Sequence, residues 1–416
     1  MAKIGEYFYF QNGYAFKSES FVENGNYKVI KIKELKDGKV KFFNDSASVI
    51  ENDDDLEKYT VKNGDVLFAL TGDPVSKSNP FSWVGRVSLV DFDIPAVINQ
   101  RVCKAVPKGG MLSRYLYYFF RQDNIFFSLA AKATGSASQA NISTKTIEET
   151  EIDVPSIETQ RKVVDFLSAI DRRIVVNEQI NKNLEEQIKI LCKAWLVDFI
   201  PFDRIQPEAW STRHFSDIAE FIGGYSYKGN ELVPSSQAMA TIKNFDRNGG
   251  FKLDGYKEII PSSKLKDVQH VELYDTLVAH TDLTQNAEVI GNAEPVLSLS
   301  GYDDIVFSMD LVKVLPKNGI SKFLIAALLQ DGRFKAHALG YVNGTTVLHL
   351  SKKALPDYEL LLPDDLSVLS PLTEAIERLY RMIATNIDEM SRLSQLRDEL
   401  LPRLMSGEID VSEVEI

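Results

Sequence analysis

A repeat of about 209 residues, half of the 416-residue chain, runs through the sequence from end to end. FQNGYAFK at Phe10–Lys17 returns as FIGGYSYK at Phe221–Lys228, and VIKIKELKDG at Val29–Gly38 is echoed by MATIKNFDRNG at Met239–Gly249. NGDVLFALTGD at Asn63–Asp73 pairs with LYDTLVAHTD at Leu273–Asp282, and VCKAVPK at Val102–Lys108 with LVKVLPK at Leu311–Lys317. ATGSASQANIS at Ala133–Ser143 matches YVNGTTVLHLS at Tyr341–Ser351, and EIDVP at Glu151–Pro155 matches ELLLP at Glu359–Pro363. The order is kept and the offsets stay between 208 and 211 residues, so the chain has to build one architecture twice.

Each copy has two parts. The first holds short β-branched and aromatic runs broken by Gly, Asn and Asp, with a short helical stretch near Tyr115–Ala131 or Lys322–Ala338, which predicts an α+β globule with a strand-rich core. The second is a long helix. From Thr159 to Phe199 there is no Pro or Gly, and a three-four spacing runs through Leu167, Ile170, Ile174, Asn177, Asn181, Leu184, Ile188, Leu191 and Trp195. The second copy continues it through Ile376, Leu379, Ile383, Asn386, Met390, Leu393, Leu400 and Leu404, with a slip near Leu396 and Arg397. Pro155 and Pro201 punctuate the first helix, Pro371 and Pro402 the second. Asn177 and Asn386 hold the same seam slot, and a buried seam Asn fixes register, so the two helices are expected to pair with each other. An antiparallel pair would form a coiled-coil spacer of about 60 Å with a globule at either end, an internal pseudo-twofold arrangement. The expected divisions are 1–155, 156–203, 204–366 and 367–416.

Composition narrows the function. The formal net charge is -12, and the stretch 367–416 carries five basic against ten acidic residues, which argues against coating nucleic acid by charge alone. A local basic cluster stands at Lys28, Lys31, Lys33, Lys36, Lys39 and Lys41, opposed only by Glu34 and Asp37. No phosphate loop, dinucleotide fingerprint or spaced zinc-ligand set occurs, and the five histidines are scattered. Asn79–Pro80 is followed by Phe81–Ser82 and reads as a turn, and Asp53–Asp54–Asp55 as caps and solvated turns. Cys103 and Cys192 read as buried thiols, and Trp195 and Trp210 as packing residues. No apolar run approaches the roughly 18–20 residues of a membrane span, and the start MAKIGEYFYFQNG lacks a signal layout, so a cytoplasmic protein with no membrane partner is expected. The chain reads as a binder without catalysis.

Four segments carry a resemblance: FQNGYAFKS near the start, IDVPSIETQRKVVDFLSAIDRRIVVNEQINKNLEEQ at Ile152–Gln187, KAWLVDFIPF at Lys193–Phe202 and RDELLPRLMSGEIDV at Arg397–Val411. Together they resemble the specificity subunits of type I restriction-modification enzymes, over nearly the whole chain. The second copy departs where its helix begins: Pro155–Gln160 has a Gln that Pro363–Asp364–Asp365–Leu366 does not match. The resemblance implies two target-recognition domains, each reading one half of a split double-stranded DNA site, separated by paired helices. It implies two methyltransferase subunits as partners, with ATP-driven restriction subunits added in some assemblies. No cofactor belongs to this chain; S-adenosylmethionine and ATP with Mg would be bound by the partners. The rival is a scaffold whose globules bind other ligands and do not read DNA.

Polar residues at aligned loop positions are the candidate DNA contacts: Tyr14 with Tyr225, Lys17 with Lys228, Lys33 with Lys243 and Thr71 with Thr281, together with Lys31 of the basic cluster. The loop Gly135–Asn141 adds Ser136, Ser138, Gln139 and Asn141, and its counterpart adds Asn343, Thr345 and Thr346. Amides can bond an adenine edge bidentately, whereas Lys and Ser suit phosphates.

Overall fold

The computed structural model describes residues 1–50, 54–77, 79–247, 249–282 and 286–411. Asp53 and residues 412–416 of the acidic tail lie outside them. The chain divides into two compact units, Met1–Arg172 with Ser394–Ile416, and Arg173–Leu393. Compactness therefore cuts through both long helices, where the sequence reading drew the helices as divisions of their own.

In the first unit the Val- and Phe-rich runs form a sheet in the order Phe8–Asn12, Val102–Pro107, Val66–Ala69, Val87–Leu89, Lys39–Val40, Leu35–Lys36. Val102–Pro107 is antiparallel to both its neighbours, pairing Ala105 with Phe10 on one side and with Val66 on the other. Ala96–Ile98 runs parallel to Tyr27–Ile30, which also pairs with Ser48–Val49. The second unit repeats the frame. Leu311–Pro316 lies antiparallel between Ala219–Gly223 and Thr276–Ala279, and Gln237–Ala240 runs parallel to Asp304–Phe307. Mixed sheet and helix agree with the α+β expectation.

The helical stretch expected in each copy is two helices, Ser113–Arg121 with Asp123–Ala130, and Lys322–Leu329 with Gly332–Leu339. A single extended residue breaks each run, Gln122 (ψ 131°) or Asp331 (ψ 133°), and Asp331 accepts a hydrogen bond from the Arg333 amide to start the next helix. These helices cover the sheets. Tyr115, Leu116, Phe119 and Phe120 bury against Phe8, Phe68 and Cys103, and Phe323 to Leu329 against Val278 and Val314. Both cysteines are buried free thiols.

The long helices span Ile157–Leu196 and Ser370–Met405. Pro402 does not end the second one, which continues to Met405. A proline removes a donor toward the preceding turn, but its own carbonyl still accepts, here from Ser406. In the first unit Val163, Val164 and Leu167 share a core with Leu401 and Leu404, and the Arg397 guanidinium donates to Asp171 at 2.8 Å. The slip near Leu396 is thus a salt bridge in a seam position, with Leu396 turned out to solvent. In the second unit the pairing is antiparallel: Arg173 and Asn177 donate to Glu389, and Asn386 donates to Asn181 at 2.7 Å. Asn177 and Asn386 do not meet. Beyond Ile188 the buried stripe moves to Cys192 and Leu196, not Leu191 and Trp195, because a four-residue step keeps the helix face turned to the globule core. Trp195 and Trp210 both pack edge-on against Phe202, at 5.8 and 5.6 Å, in keeping with the packing reading.

The two helix starts differ physically as well. Gln160, fully buried, accepts from the Leu112 amide and donates to the carbonyls of Gly110 and Pro155. In the second copy Asp365 caps the Ser367 amide and opens a short turn, and Asp364 takes bonds from Ser211 and Arg213.

Candidate nucleic-acid interface

The repeated Gly-Tyr marks a place where backbones touch. A β-carbon on Gly13 would collide with the Asn99 carbonyl, and one on Gly224 with the Ser308 carbonyl, so only glycine fits at either. From there a ladder of backbone hydrogen bonds runs through the first unit, with Tyr14, Gln100 and Arg101 as its exposed members. The Tyr14 amide donates to Ile98, Gln100 to Tyr14, Leu70 to Arg101 and Ile142 to Leu70, all at 2.8–2.9 Å. The second unit has the same ladder: Tyr225 donates to Phe307, Met309 to Tyr225, His280 to Asp310 and Leu350 to His280, at 2.7–3.0 Å.

The ladder ends on a hairpin. Thr134–Ser136 and Gln139–Asn141 pair with each other and then with Thr71–Gly72; Val342–Asn343 and Leu348–Leu350 pair and then join Thr281–Asp282. Gly135 (φ 137°) and Gly344 (φ 118°) bring the two hairpin strands close, where a β-carbon would meet the carbonyl of Gln139 or Val347. This registers Gln139 with Val347 and Asn141 with His349, and shows that the first tip is one residue longer. Ser136, Ser138 and Gln139 are exposed on it, with the Ser136 hydroxyl bonded to Ser138 and accepting from the Gln139 amide. Asn343, Thr345 and Thr346 are exposed on the other.

The remaining candidates divide. Lys17, Lys228 and Lys243 are exposed, and Lys17 lies 3.9 Å from Glu19. Lys33 is engaged by Asp45 at 2.8 Å, which holds that carboxyl below its usual range, and Lys31 lies 3.7 Å from the centre of the Phe21 ring. Tyr14 is partly exposed and packs on Phe16 and Tyr59. Its counterpart Tyr225 is buried, bonded to Glu231 and Ser262, and holds the fold instead of facing a ligand. Thr71 is also buried: its hydroxyl donates to Asn141 at 2.9 Å and lies 3.4 Å from the Arg101 guanidinium. Thr281 is half-buried and donates to Asp310 at 3.1 Å.

The geometry adds residues that the sequence reading did not select: exposed Gln100, Arg101, Met309 and His349, and half-buried His280 and Asp310. Burial, with the nearby His349, lowers the His280 pKa and favours its neutral form. The two copies differ at every one of these positions, so a search for shared polar residues passes over them. Their usable signal is position, directly before the matched VCKAVPK and LVKVLPK runs and inside the matched loops.

Residues 1–186 match the model of the type I restriction modification DNA specificity domain. The chain is 24% identical over 337 residues to the type I restriction enzyme MjaIX specificity subunit of Methanocaldococcus jannaschii, covering 77% of this chain and 74% of that protein. It is 24% identical over 432 residues to the HindI specificity subunit of Haemophilus influenzae, covering 89% and 92%. The crystal structure of the type I restriction-modification S subunit from M. genitalium superposes with a TM-score of 0.55 at 14% identity, covering 97% of this chain and 94% of that one, and so shares the fold. Among the described residues no helix is long and apolar enough to cross a membrane. The chain is thus similar, over most of its length, to proteins that are type I specificity subunits.

Proposed function

We propose that this chain is the DNA-reading specificity subunit of a type I restriction-modification assembly. Each unit presents its ladder-and-hairpin surface to one half of a split site on double-stranded DNA. The observation that carries this reading is a surface built twice on one hydrogen-bonded backbone, with tips that differ in length and side chain. A protein reading two unlike half-sites needs a fixed frame and variable donors and acceptors. A scaffold binding one ligand twice would keep the side chains and could let the frame drift.

In this reading the chain performs no chemistry. Two methyltransferase subunits supply S-adenosylmethionine and transfer the methyl group, and restriction subunits using ATP and Mg join where the assembly cleaves. The long helices are the covalent path between the two reading surfaces and set the number of unread base pairs between half-sites. The test is to assemble the chain with a type I methyltransferase subunit, methylate genomic DNA and sequence the modified adenines. A two-part motif with a constant gap is expected, together with binding that weakens steeply with salt yet survives competitor DNA of the wrong sequence. Modification without a motif, or affinity indifferent to DNA sequence, would sink the proposal.

A further inference from the structure

The two ladders place Arg101 and Asp310 at one and the same position. Each residue's carbonyl accepts from the strand that carries the shared Thr, Leu70 in one unit and His280 in the other. Each side chain then meets that Thr, Arg101 approaching the Thr71 hydroxyl at 3.4 Å and Asp310 accepting from the Thr281 hydroxyl at 3.1 Å. A hydroxyl both donates and accepts, so one Thr can orient either a guanidinium or a carboxylate without rebuilding the frame. The charge is reversed on an otherwise constant support. The neighbours change with it: Gln100 stands opposite Met309 in the alignment of the ladders, and Asn141 opposite His349.

Building on the DNA-reading function proposed above, we infer that residues 101 and 310 are the specificity-determining positions of their units, reading opposite hydrogen-bonding chemistry in the two half-sites. Arg101 carries a rigid fork of donors and matches the two acceptors, O6 and N7, on the major-groove edge of guanine. Asp310 has acceptors alone and matches the amino group of cytosine. A carboxylate turned toward phosphates is repelled by them, so an acidic residue gains at such a surface only by accepting from a base. Phosphate attraction adds to the hold of Arg101 on its half-site, whereas Asp310 depends on the base contact alone. Thr71 and Thr281 are positioning residues, which accounts for their sharing between the copies and their partial or full burial.

The test uses the full chain in complex with a methyltransferase subunit, with selection from randomised duplexes and sequencing of methylated adenines. Arg101→Ala should relax one base pair in one half-site and lower affinity for the original site roughly ten- to a hundredfold, leaving the other half untouched. Arg101→Lys keeps the charge and loses the fork, so it should retain non-specific affinity while losing the discrimination. Asp310→Asn should alter one position in the other half-site. A uniform loss of affinity with Arg101→Ala and an unchanged motif would make Arg101 a phosphate clamp and overturn the assignment, as would a change in both half-sites from one substitution. If the wild-type complex gives a two-part motif that ignores all three substitutions, this inference alone fails. If the wild-type complex gives no motif, the function proposed above fails with it.

Discussion

Glu294 occupies the strand position that Ser88 holds in the other unit, each paired to the equivalent leucine, Leu277 or Leu67. It is 6% exposed, and its carboxyl accepts from the Gly250 amide and the Gln330 side chain, both at 2.7 Å. Burial outweighs those bonds and pushes its pKa up to about 7 from 4.5. The folded state therefore holds this proton more tightly than the unfolded chain, so the contribution is fully present below about pH 4.5 and is lost as pH rises through about 7, a span on the order of 3 kcal/mol. Glu294→Gln should flatten the pH dependence of the second unit's unfolding free energy between about pH 5 and 7.5; an unchanged slope in chemical denaturation would show the carboxyl is not the cause. Nothing in the run NAEPV distinguishes this glutamate from a surface one, because its burial depends on Gln330 at the end of a helix and a turn at Gly250, distant in sequence. The DNA-facing candidates divide for the same reason. Tyr14 and Tyr225 have matching neighbours in sequence, yet a ring contact with Tyr59 holds one at the surface, whereas a bond to Ser262 buries the other. Lys17, Gln139 and the Ser136 turn were legible as exposed polar groups, whereas Arg101 and Asp310 became visible only through the backbone ladder.

Among the elements, the long helices were the most legible, since a three-four spacing over many turns has few other meanings. Their ends and partners were less so. Pro402 sits inside its helix, and the seam Asn that meets Asn386 is Asn181, because antiparallel pairing matches residues whose numbers rise in one helix as they fall in the other. Asn181 is 7% exposed, so Asn386→Leu strips a partner from a buried amide and should cost about 1–3 kcal/mol. Replacing both with Leu removes the unmet polar group and buries apolar surface, and should recover most or all of that loss while weakening the preference for this register. A double-mutant cycle by thermal unfolding checks it, and additive losses from the two substitutions would rule out a direct Asn–Asn coupling. The end of the second helix supplies another expectation. Gly407 (φ 76°) turns the chain, the Ile409 amide donates to Arg403, and Val411 is buried with Leu404 in the first unit's core. The acidity of this tail points away from DNA and toward a partner or the first globule, and Ile409 and Val411 do pack into the core of the first unit. Truncation after Ser406 should lower the first unit's stability by roughly 2 kcal/mol, and an unchanged melting midpoint would show that Ile409 and Val411 contribute nothing.

At the scale of the whole molecule, the repeat made the twofold construction legible in the sequence, but not that each long helix gives its first turns to one unit and its last to the other. That sharing bears on exchange of reading specificities. Tyr118 donates to Asp171, and Gln160 bonds Leu112 and Gly110, so a globule exchanged at residues 1–150 keeps its fit only if the incoming chain supplies the same groups. The sharing also locates a test of the helices as a ruler. Asn177 bonds Glu389, so a heptad inserted after Val176 lies opposite one inserted after Met390, and the pair keeps the seam in phase. Seven residues at 1.5 Å add about 10 Å to the paired stretch. At about 3.4 Å per base pair this equals roughly three base pairs. Three base pairs also rotate the duplex by about a quarter to a third of its roughly 10.5-base-pair turn, so one reading surface would meet the wrong face of the DNA. Binding to the original site should be lost, and selection from duplexes with randomised gaps should return a longer gap or no site. A single insertion in either helix should instead unfold the seam, since it throws every following contact out of register; the thermal transition separates that outcome from a loss of spacing. Recovery of the original gap at full affinity by the double insertion would mean that the distance between half-sites is set by the partners and not by this chain.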